Sequence, residues 1–340
     1  MNTPDFTDAL RWVRHVAGEF DVTGDDPRPW GRTGAEMTLT TAKGARLVLR
    51  VAPDSSVKTY RDSIPAGVVQ QTLTAHRVLR DVVPEMWGFD EERGWLLYAD
   101  PGIDVLGNHP STPSLVIDRV AEISATAAQV ELAPAWAEVF APASYTTDYA
   151  EAVEALTVVY FPLTAAGSGP LRALGLVDDS YIAAAVDHDP VERPRSFVHG
   201  PIARTDVFYG DDRVMVGGWR EARFGDSVGQ LADTIEGLSL HGPQRAQMVD
   251  RWLTAHDPDH VEGWRADLPA YLRVARLTRL ATATMGCIDA ITRGGRPARE
   301  WVGVWRTVRR GNDFLLGTEM PDTDDAGIER ALRDIAAANL

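Results

Sequence analysis

The sequence predicts an α+β protein in two lobes, with a small N-terminal lobe of antiparallel sheet and helix followed by a larger, mostly helical lobe. Three observations support this. Residues 36–51 alternate as two short strands around Lys43-Gly44, most of the chain after residue 114 has apolar residues at helical spacing, and residues 196–232 break that helical run with a second hairpin.

Taken in order, Phe6, Leu10, Val13 and Val16 are spaced for an amphipathic opening helix. Asp21 to Gly34 is rich in Gly, Asp and Pro, and the first hairpin then pairs 36–41 with 46–51. A helix is expected over 65–81, and two further strands over 83–89 and 94–100. Pro101-Gly102 is the expected lobe boundary, giving a small lobe over 1–101 and a large lobe over 102–340. Helices are expected near 114–132, 147–165, 170–176, 179–187, 228–238, 243–255, 263–291, 301–308 and 326–339. In the central segment Phe197-Val198 leads into His199-Gly200 and an irregular loop. Val207-Phe208-Tyr209 and Val214-Met215-Val216 then flank the turn Gly210-Asp211-Asp212.

This central segment resembles the catalytic segment of aminoglycoside phosphotransferases and their choline-kinase-like relatives. There a histidine-glycine-aspartate loop ending in asparagine is followed by strand, turn, strand, a metal-binding aspartate and tryptophan. His199, Gly200, Trp219, Ala222, Arg223, Gly225 and Asp226 match that pattern, and Ala75-His76-Arg77-Val78-Leu79-Arg80 resembles the small-lobe helix of the family. The resemblance implies a protein-kinase-like fold. It also implies that five functional positions are changed: the phosphate-pairing lysine is Arg50, its helix glutamate is Ala75, the catalytic aspartate is Pro201, and the metal-binding asparagine and aspartate are Asp206 and Gly218.

Phosphoryl transfer from ATP needs positioned phosphates, magnesium held by hard oxygen ligands, and a carboxylate that orients the attacking hydroxyl. Proline and glycine carry no side-chain oxygen, so ordinary ATP transfer is not expected, and neither a metal nor a nucleotide cofactor is expected. Arg50, Arg204, Arg220 and Arg223 would instead make a basic interlobe cleft suited to an anion, with His199 or Asp206 moving a proton. The alternatives are that Arg220 and Arg223 pair with Glu221, Asp226 or nearby acids, that His199 buttresses the loop, and that Asp206 holds a cation or caps the loop. Trp301 and Trp305, four apart, are candidates to line a groove.

Three functions remain open at this stage. One is a metal- and ATP-independent tailoring enzyme of bacterial secondary metabolism, acting on an anionic small molecule or modified peptide, as relatives of the fold occur beside lyase-like partners in lanthipeptide and thioamitide biosynthesis. Another is a non-catalytic pseudokinase that binds and stabilises a partner biosynthetic enzyme, favoured by a closed or filled cleft and an exposed apolar patch on the small lobe. The third is an unorthodox phosphotransferase using Asp211 or Asp226. A formal charge of -15 over 340 residues argues against nucleic-acid and anionic-membrane partners. No run approaches the ~20 apolar residues of a bilayer span, no signal peptide is expected, and the single cysteine, Cys287, suits a reducing cytoplasm.

Overall fold

The computed structural model describes residues 6–22, 28–30, 34–51, 66–90, 93, 95–131, 145–176, 187–211, 213–219, 222–292, 302, 305 and 323–338. The fold is α+β. The chain divides into two compact units, one formed by 2–142 with 194–261 and the other by 143–193 with 262–340. Residues on both sides of Pro101-Gly102 fall in the first of these.

The first unit opens with α1 (Thr7–Ala17), whose buried stripe is Phe6, Ala9 and Val13. Six strands follow it with one helix between: β1 (Phe20–Val22), β2 (Arg28–Trp30), β3 (Gly34–Thr41), β4 (Arg46–Val51), α2 (Ala66–Ala75), β5 (Met86–Asp90) and, closing the sheet, β6 (Trp95–Ala99). The sheet is antiparallel in the order β1, β3, β4, β6, β5, and β2 pairs with the start of β3. Gly44 turns β3 into β4 with φ +81°, a left-handed value that glycine adopts without strain. The amide of Ala45 donates to Thr41 Oγ1 across the same turn.

Side chains alternate across β4, and that period of two decides what each face does. Leu47, Leu49 and Val51 join Leu39, Trp95, Leu97 and the α1 stripe in one core cluster. Val48 points the other way and packs with Tyr98, Phe208 and Met215, and Arg50 shares its parity. The expected helix over 65–81 stops at Ala75 and gives way to a 3-10 turn over Leu79–Asp81. Val69 and Leu73 bury a stripe that His76 and Arg77 cannot continue, so the chain rewinds to bury Leu79.

The rest of this unit is α3 (Ser114–Ala128), β7 (Ser196–Val198), the hairpin β8 (Val207–Gly210) with β9 (Arg213–Val216), β10 (Arg223–Gly225), α6 (Ser227–Gly237) and α7 (Gly242–Ala255). β7 pairs antiparallel with β10. α3 and α7 pack together, with Arg251 Nε and Gln247 Nε2 both donating to Asp118 Oδ1. The second unit holds α4 (Tyr145–Thr164), α5 (Ser168–Ala173), α8 (Trp264–Thr292) and α9 (Asp325–Ala338), with α8 against both α4 and α9. Its polar centre is the fully buried Asp267, which accepts from Arg193, from the amide of Val191 at 3.0 Å and from His188 Nε2 at 3.0 Å. The helix expected over 179–187 and most of that over 301–308 lie outside the described residues, except that Trp305 is fully buried in the core. Among the described residues no helix is long and apolar enough to cross a membrane.

Two stability predictions follow from particular contacts. A Cβ on Gly237 would lie 2.0 Å from the carbonyl oxygen of Ile202, whereas one on Gly286 in α8 meets nothing within 4 Å. Urea unfolding should show Gly237→Ala losing at least about 2 kcal/mol and Gly286→Ala gaining about 0.5–1 kcal/mol.

Burial pushes the His256 imidazole down to about 4, against the hydrogen bond from its Nδ1 to the Trp252 carbonyl and with help from nearby His260. The unfolded chain therefore takes up this proton first as pH falls below the ordinary value of 6.5. Stability should drop by up to about 3 kcal/mol between pH 6.5 and 4 from this group. The dependence should flatten in His256→Gln, which unfolding at a series of pH values reads directly.

Candidate functional site

The central segment is held by backbone-directed polar contacts. β7 delivers His199 into the interior, where Nε2 donates to the Gly217 carbonyl at 2.7 Å and the ring meets Trp219 edge-on at 4.6 Å. Trp219 Nε1 in turn donates to the Val216 carbonyl. Gly200, at φ +87°, is clamped by Gln230, which accepts from its amide and donates to its carbonyl and to Thr234 Oγ1. Asp226 caps α6 by accepting from the amide of Val228 at 2.8 Å. Each of these contacts fixes the loop's shape. His199, read from the sequence as a proton carrier or a buttress, sits where it buttresses.

Arg50 is the centre of the site. It is only 1% exposed, although it is among the largest side chains in the protein. Its Nε donates to Glu36 Oε2 at 3.2 Å, its Nη2 to the Thr205 carbonyl at 3.0 Å, and its Nη1 lies 3.8 Å from Asp206 Oδ1. The guanidinium carbon is 5.0 Å from the Tyr98 ring centroid and 5.4 Å from that of Phe208. Burying a lone guanidinium would be prohibitive, so the two carboxylates and the carbonyl are what allow it to stay charged inside. The same burial drives the Tyr98 phenol well above its ordinary range, with Arg50 pulling the other way. Its hydroxyl has no hydrogen-bond partner among the described residues.

Asp206 closes its own loop. Its Oδ2 accepts from the Ala203 amide at 3.0 Å, its amide donates to the Ala203 carbonyl, and its carbonyl accepts from the Gly217 amide at 2.7 Å. Gly218 has φ +79°, and a Cβ there would lie 2.7 Å from Asp206 Oδ1. The carboxylate of Asp206 thus fills the space into which a side chain at 218 would grow. Pro201 is exposed at the mouth of the loop, and Ala75 is exposed at the end of α2.

Arg204 and Arg223 make contacts away from Arg50. Arg204 is a tie within the backbone: Nη1 donates to Thr112 Oγ1 at 2.7 Å, and Nη2 donates to the carbonyls of Leu106 and His109. Burial lowers its pKa. Arg223 is buried on β10 and reaches a nearby acid, Asp233 of α6, at 3.8 Å, while Glu221 lies outside the described residues. Arg220 lies outside the described residues, as does Trp301. Trp305, offered with Trp301 as a groove wall, is buried.

Sequence reasoning missed Glu36 and Tyr98. Glu36 was within reach, because a turn at Lys43-Gly44 sets Glu36 opposite Arg50 on the neighbouring strand. The helix glutamate that the resemblance assigns to position 75 is replaced, in its role of partnering the strand cation, by a glutamate from β3.

Magnesium with ATP does not fit these residues. Gly218 and Pro201 offer no side-chain oxygen, the space at 218 holds a carboxylate, and the Arg50 guanidinium lies 3.8 Å from Asp206 Oδ1. Among the described residues no group of three or more His, Cys, Asp or Glu side chains could hold a metal ion.

The fold itself is that of the aminoglycoside phosphotransferases and choline kinases, a branch of the protein-kinase-like architecture. A macrolide 2'-phosphotransferase type I aligns at 17% identity over 90% of this chain and 97% of its own, with a TM-score of 0.52. An amicoumacin kinase in complex with AMP-PNP and Ca2+ aligns at 10% identity over 95% and 96% with a TM-score of 0.54, and an ethanolamine kinase of Plasmodium vivax at 9% over 98% and 86% with 0.52. At such identities the likeness establishes the fold alone. No family model matches the sequence, and a search of curated proteins finds no match.

The pairing of Gly218 with Asp206 is open to a double-mutant cycle. Gly218→Ala should cost about 2–3 kcal/mol by chemical unfolding, from its left-handed backbone and the clash together. With Asp206→Ala in place the same change should cost about 1 kcal/mol less, and additive effects would contradict the geometry.

Proposed function

We propose that this chain is a kinase-fold protein that does not transfer phosphate from magnesium-ATP and works as a non-catalytic partner of a biosynthetic enzyme. The observation that carries the reading is Arg50. A kinase of this architecture uses its strand cation to pair with nucleotide phosphates, whereas here that cation is consumed by Glu36, Asp206 and the Thr205 carbonyl. Val48, Tyr98, Phe208 and Met215 pack together on the same face of the sheet. The setting we infer is cytoplasmic bacterial natural-product biosynthesis, with neither nucleic acid nor membrane as partner.

The reading in which an anion or modified peptide is the substrate needs arginines turned towards a ligand. Arg50, Arg204 and Arg223 are engaged inside the chain, so that reading now rests on Arg220, and no specific observation favours it.

Thermal melting of the purified protein tests both readings. The midpoint is expected to stay unchanged with ATP, magnesium, or the two together. A rise with magnesium-ATP beyond that of either component overturns the proposal. A salt-sensitive rise with pyrophosphate alone would return the anionic substrate to first place.

A further inference from the structure

We infer that Glu36, Asp206 and the Thr205 carbonyl, walled by the rings of Tyr98 and Phe208, form a guanidinium-recognition site that the chain occupies with its own Arg50. The inference deepens the proposed loss of nucleotide chemistry by naming what has taken the cation's place. It is tested separately from that loss.

The site is defined by three oxygens that approach different nitrogens of one planar fork. Glu36 Oε2 takes Nε, the Thr205 carbonyl takes Nη2, and Asp206 Oδ1 faces Nη1. Only a guanidinium presents donors in such divergent directions from a single charge. A divalent ion needs its oxygens to converge within about 2.0–2.6 Å of one point, and an ammonium offers a strongly hydrated point charge. The two aromatic rings, with centroids 5.0 and 5.4 Å from the guanidinium carbon, favour a weakly hydrated planar cation in the same way.

The consequence is conformational. The acceptors come from β3 and from the loop before β8, separated from Arg50 by 14 and 155 residues, so one side chain joins the sheet to the altered catalytic segment. No soluble cofactor is required for that closure, because the cation is covalently attached to β4. Glu36 and Asp206 act as positioning residues for Arg50.

Chemical rescue reads this directly. Arg50→Ala should melt well below the wild type, and low-millimolar ethylguanidinium should restore at least about half of the lost midpoint, since a ligand binding only the folded form raises it. Ethylammonium, magnesium chloride and sodium chloride at matched ionic strength should restore none of it, and Arg50→Lys should melt low without rescue by any of the four. Equal rescue by magnesium, or no rescue by ethylguanidinium, overturns the inference.

If Arg50→Ala does not fold, side-chain NMR of the wild type takes its place. Arg50 should then show separate, slowly exchanging Nη protons that average in Glu36→Gln, and averaged signals in the wild type would overturn the inference. A wild-type melting response to magnesium-ATP would defeat the proposed function while leaving this result intact.

Discussion

A buried guanidinium must find its counter-charges inside the protein, and the placement of Arg50 imposes that condition on everything around it. Strand periodicity puts it on the face of β4 away from α1, with Val48 and not with Leu49. Once there, it needs carboxylates that water cannot replace. Glu36 supplies one from the register of the first hairpin, and Asp206 supplies the other from a loop it closes itself. The absence of a side chain at Gly218 then follows, because the Asp206 carboxylate occupies that volume. Arg50, Asp206 and Gly218, far apart in sequence, are parts of one packed arrangement.

The scaffold around that arrangement is held by contacts to the backbone. His199 on Gly217, Gln230 on Gly200 and Asp226 at the start of α6 hold the loop through backbone groups. Such contacts fix a frame, and function resides in the side chains grafted onto it. The neighbours of solved structure share the frame at 9 to 17% identity, a level at which packing is retained and chemistry is free to differ.

The second unit obeys the same electrostatic rule independently. Asp267 is fully buried and is satisfied by Arg193, His188 and the Val191 amide, with Arg193 also donating to the Glu262 carbonyl. In both units a charge removed from water is surrounded by donors or acceptors drawn from distant parts of the sequence. Such networks favour one arrangement of the chain, because partial satisfaction would cost more than an apolar core.

What the sequence by itself determined was local in origin. Alternation around Lys43-Gly44 set the first hairpin, and helical spacing placed α3, α4 and α6 to α9 close to where they lie. Proline at 201 and glycine at 218 bring no side-chain oxygen. Only the tertiary structure decided where the arginines point. Arg204 turns to carbonyls near residue 106 and Arg223 to Asp233, while Arg50 turns inward to Asp206 across 156 positions of sequence. A long, flexible cation has no directional preference written into its neighbours along the chain. Its partner is set by which carboxylates the packed elements bring within about 4 Å, and that is a property of the fold rather than of any stretch of residues.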